Sequence, residues 1–289
     1  MAFYLETNSL INASRLLETS EVCDVCFVSI HGILELATDL NDEVFGSKQA
    51  VMRRILASSV KIDWRQPQKI IFDAFGLEEN YGITEHNVRQ LMILMVDVKN
   101  KAEFIECIEE RGLSSFYRMI EHYDSQYNEY FPKELAKKAE GLEDFLSSND
   151  RKALLSLIED CNDWTSDSFD RDFRDLMIRV LVQIQAEDLA ASQYNSAGMD
   201  SYQILANYNN TLDAFLGAVF LYSLPKASRK ERVKRNDFTD LYHLLYVGNS
   251  DVLVTDDKLL LKLLQRYHLC STCTCSEFRK RFESEVGAF

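Results

Sequence analysis

The chain has 289 residues, of which 46% are hydrophobic and 27% charged, a composition that excludes wholesale disorder. Its 10 glycines and 3 prolines are too few for the many turns of an all-β sandwich or barrel, and they favour a helix-rich protein. The net charge of −14 disfavours non-specific coating of nucleic acid, so any contact with a phosphate backbone has to be local.

The sequence shows no sign of export or membrane insertion. No apolar run approaches the roughly 20 residues of a membrane span, and residues 1–6 lack the basic flank and apolar stretch of a secretory signal. We therefore expect a cytoplasmic protein without membrane contact, whose seven cysteines are reduced thiols.

The first 40 residues alternate short strands with helices. Residues 2–5 and 25–30 are short apolar runs typical of buried strands. Apolar residues at helical spacing follow each run, over residues 10–17 and 33–40.

The C-terminal end repeats this rhythm. Helical patterns cover residues 236–247, 259–264 and 277–286, and strand patterns cover residues 251–255 and 270–275. Strands that alternate with helices of this length predict an α/β fold, in which a parallel sheet lies between helices.

The middle of the chain is different. Residues 41–225 contain amphipathic helical patterns and no convincing strand. We therefore expect a large all-helical insertion that separates two halves of one discontinuous α/β domain, residues 1–40 and 226–289.

Acidic residues follow the predicted strands. Glu6 and Asp257 each lie at the carboxyl end of a strand, which is the edge where open parallel sheets bind ligands. Glu35 lies on the helix after the second strand, and Asp237 and Asp240 share one face of a later helix. Such a cluster repels itself unless it holds a divalent cation, and its oxygen ligands suit Mg²⁺ or Mn²⁺. With a phosphate group added, it could perform metal-assisted hydrolysis of a phosphodiester.

Four short blocks resemble the motif blocks of PIN-domain ribonucleases, in that family's order. The blocks are YLETNSLI at residues 4–11, SIHGILEL at 29–36, NDFTDL at 236–241 and LVTDD at 253–257. The resemblance covers the two terminal segments and implies a PIN-like three-layer α/β/α fold, a metal-dependent endoribonuclease and RNA as its substrate. Because the family includes toxins of bacterial toxin–antitoxin pairs, it also implies a role as a toxin or phage-defence effector, with an antitoxin or other partner protein.

The resemblance assigns roles to individual acids. Glu6, Glu35, Asp240 and Asp257 match the four family acids that bind metal, and Asp237 assists them. The first acid of the family is usually Asp, so Glu6 departs from the pattern by one methylene group. The longer side chain moves the metal or requires a different approach of the backbone.

Polar and basic residues near these acids are expected to position phosphate or the attacking water. Asn8 and Thr255 match polar residues that flank the first and fourth family acids. The one dense basic run, residues 226–235, precedes the third acid. Its side chains closest in sequence to that acid are Arg232, Lys234 and Arg235. This run either guides RNA to the metal or is a solvated linker that leaves the insertion.

Several of the acids also have a purely structural interpretation. Asp257 can cap the helix that begins near Lys258, and Asp237 and Asp240 can stabilise a helix N-terminus against its dipole. Glu35 can lie on the exposed face of its helix. Capping and metal binding are compatible, so these alternatives leave the metal site possible.

A zinc site is a separate alternative. The pair Cys23-x-x-Cys26 and the run Cys270-x-x-Cys273-x-Cys275, with His268 nearby, could supply four zinc ligands. Cysteines on strands, however, are often small buried hydrophobes. The five histidines are scattered along the sequence and predict no catalytic arrangement.

The sequence thus favours a Mg²⁺- or Mn²⁺-dependent endoribonuclease. A second hypothesis is a catalytically weak PIN-like scaffold whose helical insertion binds a partner protein or forms a homodimer, favoured by the Glu6 departure and the acidic body of the chain. A third, a DNA flap nuclease, would need a basic helical arch, whereas this insertion is acidic.

Overall fold

The structure is a computed structural model that describes residues 1–38, 40–77, 85–121, 171–192, 198–228 and 240–283. Among these residues, no helix combines the length and the apolar character needed to cross a membrane.

Five short parallel strands form one sheet. They are β1 (Phe3–Leu5), β2 (Cys26–Ser29), β3 (Lys61–Asp63), β4 (Val252–Val254) and β5 (Ser271–Cys273). Their order across the sheet is β3-β2-β1-β4-β5, and every neighbouring pair is parallel. The α/β class expected from the alternation of strands and helices is confirmed.

Helices account for most of the remaining described residues. They are α1 (Thr7–Ala13), α2 (Ser20–Val25), α3 (Ile30–Ala37), α4 (Asp42–Ala57), α5 (Pro67–Ala74), α6 (Glu85–Asp97), α7 (Lys101–Glu110), α8 (Arg171–Ala191), α9 (Ser201–Ala206), α10 (Asp213–Ser228), α11 (Lys258–Tyr267) and α12 (Cys275–Glu283). Residues 114–121 and 240–242 are also helical, and Ser14–Glu18 and His243–Tyr246 form 3-10 turns.

The central strand β1 joins the two ends of the chain. On one side Phe3 is in register with Cys26 of β2, and on the other Tyr4 is in register with Leu253 of β4. Every residue of β1 and β4 is buried, as expected for parallel strands covered on both faces. The two halves of the α/β unit therefore share one sheet.

Successive residues of β1 face opposite sides of the sheet. The Phe3 ring packs against Phe278 and Phe282 of α12, with ring centroids 5.3 and 5.7 Å away. Tyr4 packs instead against the rings of His243 and Tyr246, at 5.7 and 5.8 Å. The 3-10 turn that contains His243 thus covers the face of β1 opposite α12.

One prediction about the middle of the chain is wrong. Residues 41–225 were expected to be all-helical, but β3 lies within them and pairs with β2, with Phe27 opposite Lys61 and Ser29 opposite Asp63. This edge strand has a single apolar residue, Ile62, and none of its three residues is buried. Because neither face of this strand is buried, its sequence lacks the apolar run or alternation by which a strand is recognised. The domain division at residues 40 and 226 stays a prediction, and residues 78–84, 122–170 and 193–197 of the expected insertion lie outside the described residues.

Candidate metal centre

The candidate site lies at the carboxyl edge of the sheet, beside β1 and β4. The strand order reverses between these two strands, because the chain continues from β1 to β2 on one side whereas β4 lies on the other. Open α/β sheets bind ligands at such switch points. Glu6 directly follows β1, Asp257 follows β4, and Glu35 lies on α3, which directly follows β2.

Glu6 is buried and caps α1. One carboxylate oxygen accepts the backbone N–H of Asn8 at 2.8 Å, and the other accepts the backbone N–H and the hydroxyl of Ser9 at 3.0 and 3.1 Å. Burial raises the pKa of Glu6 above its ordinary value, although His243 and these hydrogen bonds oppose the shift. Asn8 itself is exposed. The capping bonds hold the carboxylate in one orientation at the sheet edge.

Asp257 caps a second helix at the same edge. Its carboxylate accepts the backbone N–H of Leu260 at 2.6 Å, in the first turn of α11. The hydroxyl of Thr255, which is fully buried, accepts the backbone N–H of Asp257 at 3.1 Å. The capping role considered for Asp257 is therefore confirmed, and this bond uses one of its two carboxylate oxygens.

Asp240 interacts electrostatically with the other three acids. Burial is the largest cause of a rise in its pKa to about 7, which His243 opposes and the charges of Glu35, Asp257 and Glu6 reinforce. Asp240 therefore lies within electrostatic range of Glu6, Glu35 and Asp257, and we call these four residues the acid cluster. In the described part of the chain, however, the ligand atoms that lie close enough together to hold one metal ion are those of His31, Glu35 and His243, not those of the four acids. The remaining predicted residues, Asp237, Arg232, Lys234 and Arg235, lie outside the described residues.

Glu35 is also surrounded by groups that the sequence did not indicate. His243 Nε2 lies 3.0 Å from Glu35 Oε2, and His31 Nε2 lies 4.0 Å from Glu35 Oε1. The two imidazole rings are 4.8 Å apart, and the Thr7 hydroxyl donates a hydrogen bond to Glu35 Oε2. We call His31, Glu35 and His243 the His–Glu–His group.

A chain of buried hydrogen bonds holds His243 in place. Its Nδ1 lies 2.6 Å from the hydroxyl of Tyr4, which lies 2.7 Å from the hydroxyl of Ser29. Ser29 caps α3 by accepting the backbone N–H of Gly32 at 3.1 Å. Because Nδ1 is held by Tyr4, the other ring nitrogen of His243 faces Glu35.

The two histidines set the charge state of Glu35. Burial favours a neutral carboxyl, but the positive charges of His243 and His31, together with hydrogen bonds from His243 and Thr7, lower the pKa of Glu35 to about 2. Burial also favours a neutral His243, whereas Glu35 and the other acids raise the pKa of this histidine above its ordinary value. Glu35 is therefore ionised throughout the physiological range.

The sequence contained only weak signals of the His–Glu–His group. His31 and Glu35 are four residues apart on α3 and share one face of that helix. His243 is three residues after Asp240, a spacing that also places both on one helix face. The contact between these two distant segments depends on tertiary structure.

The cysteines do not assemble a zinc site within the part of the chain that the structure describes. There, the one group of three or more potential metal ligands is the His–Glu–His group. The thiol of Cys23 donates to the carbonyl of Leu17, and that of Cys275 donates to the hydroxyl of Ser9. Burial raises the pKa of Cys26 to about 12, as for a core thiol.

Comparison with protein-family models, curated proteins and solved structures gives no match to this chain. Its function is therefore inferred from the chemistry of the site.

Proposed function

We propose that the chain is a divalent-cation-dependent endoribonuclease of PIN-like fold, in which the acid cluster binds Mg²⁺ or Mn²⁺. The observation that carries this proposal is the electrostatic interaction of Asp240 with Glu6, Glu35 and Asp257, two of which follow strands beside the switch point of a parallel sheet. The order of the four motif blocks and the five-stranded parallel sheet support it.

The donor set fits a hard divalent cation. Carboxylate oxygens are the ligands that Mg²⁺ and Mn²⁺ prefer, and four of them in electrostatic contact disfavour full ionisation in the absence of a positive charge. Burial is the largest cause of the pKa of about 7 for Asp240, and the negative charges of Glu35, Asp257 and Glu6 raise this pKa further. A bound cation would offset the part of the shift that comes from these charges.

The surrounding residues hold three of the four acids in fixed orientations. Backbone N–H groups of α1 hold Glu6, a backbone N–H of α11 holds Asp257, and Thr7 and His243 hold Glu35. Such preorganisation is what metal-assisted hydrolysis requires. When bound, the cation would activate a water molecule and stabilise the charge on the leaving oxygen of an RNA phosphodiester. The basic residues Arg232, Lys234 and Arg235 are proposed to guide the RNA backbone.

One observation favours a second candidate, the catalytically weak PIN-like scaffold. Both carboxylate oxygens of Glu6 already accept hydrogen bonds that cap α1. This capping role explains the presence of an acid at position 6 without a metal. In this case the helical insertion would act as the interaction module, and its partner would be an antitoxin, another protein or a second copy of the chain.

Cleavage of a circular RNA tests the proposal, because a molecule without ends reports endonuclease activity alone. We expect purified protein to cleave it with Mn²⁺ or Mg²⁺ and to lose this activity in EDTA. The double variant Asp240→Asn/Asp257→Asn should be inactive, because it removes two metal ligands while Asn still caps α11.

Glu106→Gln is the matched control, since Glu106 is an exposed acid on α7 that takes no part in the acid cluster. It should cleave like the unmodified chain. Absence of cleavage with either cation, or full activity in the double variant, would contradict the nuclease and favour the scaffold.

A further inference from the structure

We infer that the His–Glu–His group is a binding site for a first-row transition cation such as Zn²⁺, distinct in its chemistry from the all-oxygen acid cluster, with which it shares Glu35. This inference rests on the geometry of the group and does not require that the chain cleave RNA.

The spacing of the ligand atoms suits one ion. The Nε2 atom of His243 lies 3.0 Å from one Glu35 oxygen, and that of His31 lies 4.0 Å from the other. One ligand atom from each residue lies within 4.8 Å of the other two. Ligands about 2.1 Å from a tetrahedral Zn²⁺ stand about 3.4 Å apart, so modest side-chain movements would close the group around an ion. The ion would replace the hydrogen bond between His243 and Glu35.

The neighbouring hydrogen bonds resemble those that orient ligands in metal sites. A metal-binding histidine commonly bonds through its second ring nitrogen to a fixed partner, and a ligating carboxylate is itself hydrogen-bonded. Here Tyr4 holds Nδ1 of His243, and Ser29 in turn holds Tyr4. Thr7 holds the Glu35 carboxylate.

Ligand type and exposure favour a transition cation with an open coordination position. Imidazole nitrogens suit Zn²⁺ and its neighbours, whereas Mg²⁺ prefers oxygen. His31 and His243 are 8% and 2% exposed, but the Glu35 side chain is 23% exposed, so the group opens to solvent on the Glu35 side. Three protein ligands leave a fourth position for water or a phosphate oxygen.

Titration calorimetry with Zn²⁺ tests the inference on the full chain. We expect one Zn²⁺ to bind the unmodified protein in the presence of excess Mg²⁺. His31→Gln should weaken binding about tenfold or more, because it removes one of three ligands. His86→Gln is the matched control, as His86 is exposed on α6, and it should leave Zn²⁺ affinity unchanged.

Asp257→Asn separates the two sites, since it alters the acid cluster but none of the His–Glu–His ligands. It should keep its Zn²⁺ affinity. Imidazole ¹⁵N NMR of the unmodified chain provides a readout that needs no variant to fold, and Zn²⁺ should shift the nitrogen signals of two histidines.

Failure of the unmodified chain to bind Zn²⁺, or imidazole signals that Zn²⁺ does not shift, would overturn the inference. A Zn²⁺ affinity that is lost in Asp257→Asn but kept in His31→Gln would also overturn it. Zn²⁺ binding without RNA cleavage would support this site and contradict only the nuclease.

Discussion

Two carboxylates of the acid cluster have their pKa values shifted in opposite directions. Two histidines and a threonine hydroxyl lower the pKa of Glu35 to about 2. Burial and three negatively charged neighbours raise the pKa of Asp240 to about 7. When the environment separates the pKa values of two neighbouring acids, one can be protonated while the other is ionised at the same pH. At neutral pH and without a cation, these shifts favour a charged Glu35 and a partly protonated Asp240.

The raised pKa of Asp240 predicts how stability changes with pH. In the unfolded chain Asp240 loses its proton near pH 3.9, but in the folded chain it keeps the proton to about pH 7. Between these values the folded state binds more protons, so this group lowers the free energy of unfolding as pH rises. Its contribution is at most about 1.4 kcal/mol per pH unit.

Asp240→Asn should remove this contribution. Urea unfolding in EDTA, measured from pH 4 to 8, is expected to show a weaker decline in the variant and greater stability than the unmodified chain above pH 7. Glu106→Gln should retain the original pH dependence. Parallel curves for Asp240→Asn and the unmodified chain would refute the assignment.

Helix N-termini meet the acids at the carboxyl edge of the sheet. Glu6 caps α1, Ser29 caps α3 and Asp257 caps α11, in each case at the junction that follows a parallel strand. Because the N-terminal end of a helix carries partial positive charge, it stabilises a nearby carboxylate. The same acids can therefore serve the fold and a cation, and substitutions have to separate the two roles.

Position 257 allows this separation. Asp257→Ala should lower the free energy of unfolding by about 1 kcal/mol, because α11 loses its cap, whereas Asp257→Asn should change it by only a few tenths, because Asn caps well. Both variants should lose much of the thermal stabilisation by Mn²⁺, since both remove a proposed ligand. Urea unfolding and thermal shift measure the two effects. A normal Mn²⁺ shift in Asp257→Asn would show that Asp257 is a cap alone.

The sheet makes the whole molecule depend on contacts between the ends of the chain. The central strand β1 has β2 on one side and β4 on the other, and Phe3 packs against two rings of α12. Tyr4, on the opposite face, is hydrogen-bonded both to Ser29 and to His243 near the C-terminal end of the chain. An N-terminal fragment alone therefore leaves β1 unpaired on one edge and without the ring contacts of Phe278, Phe282, His243 and Tyr246 on its two faces.

A chain that ends at residue 239 should accordingly fail to fold cooperatively. Circular dichroism during urea titration is expected to show helix without a sharp unfolding transition, because β4, β5 and α12 are absent. A chain that ends at residue 283 loses none of the described contacts and serves as the control. A sharp transition in the shorter chain would mean that residues 1–239 have a core of their own.

Local patterns predicted four of the five strands. β1, β2, β4 and β5 lie within the expected segments because apolar runs followed by helical spacing are visible along the chain. The edge strand β3 was missed, since Ile62 alone gives no periodicity. The prediction that acids after the strands converge on one edge follows from parallel pairing, and the structure brings Asp240 within electrostatic range of Glu6, Glu35 and Asp257.

The amino-acid sequence by itself determined the α/β class and the placement of Glu6 and Asp257 after parallel strands, because strand and helix periodicity are local properties and parallel strands place their carboxyl ends together. Tertiary structure alone decided that His31 and His243 flank Glu35. That contact depends on the pairing of β1 with β2 and β4 and on the buried hydrogen bond between Tyr4 and His243, which joins segments more than two hundred residues apart. Long-range packing of this kind leaves no periodic signal in a single chain.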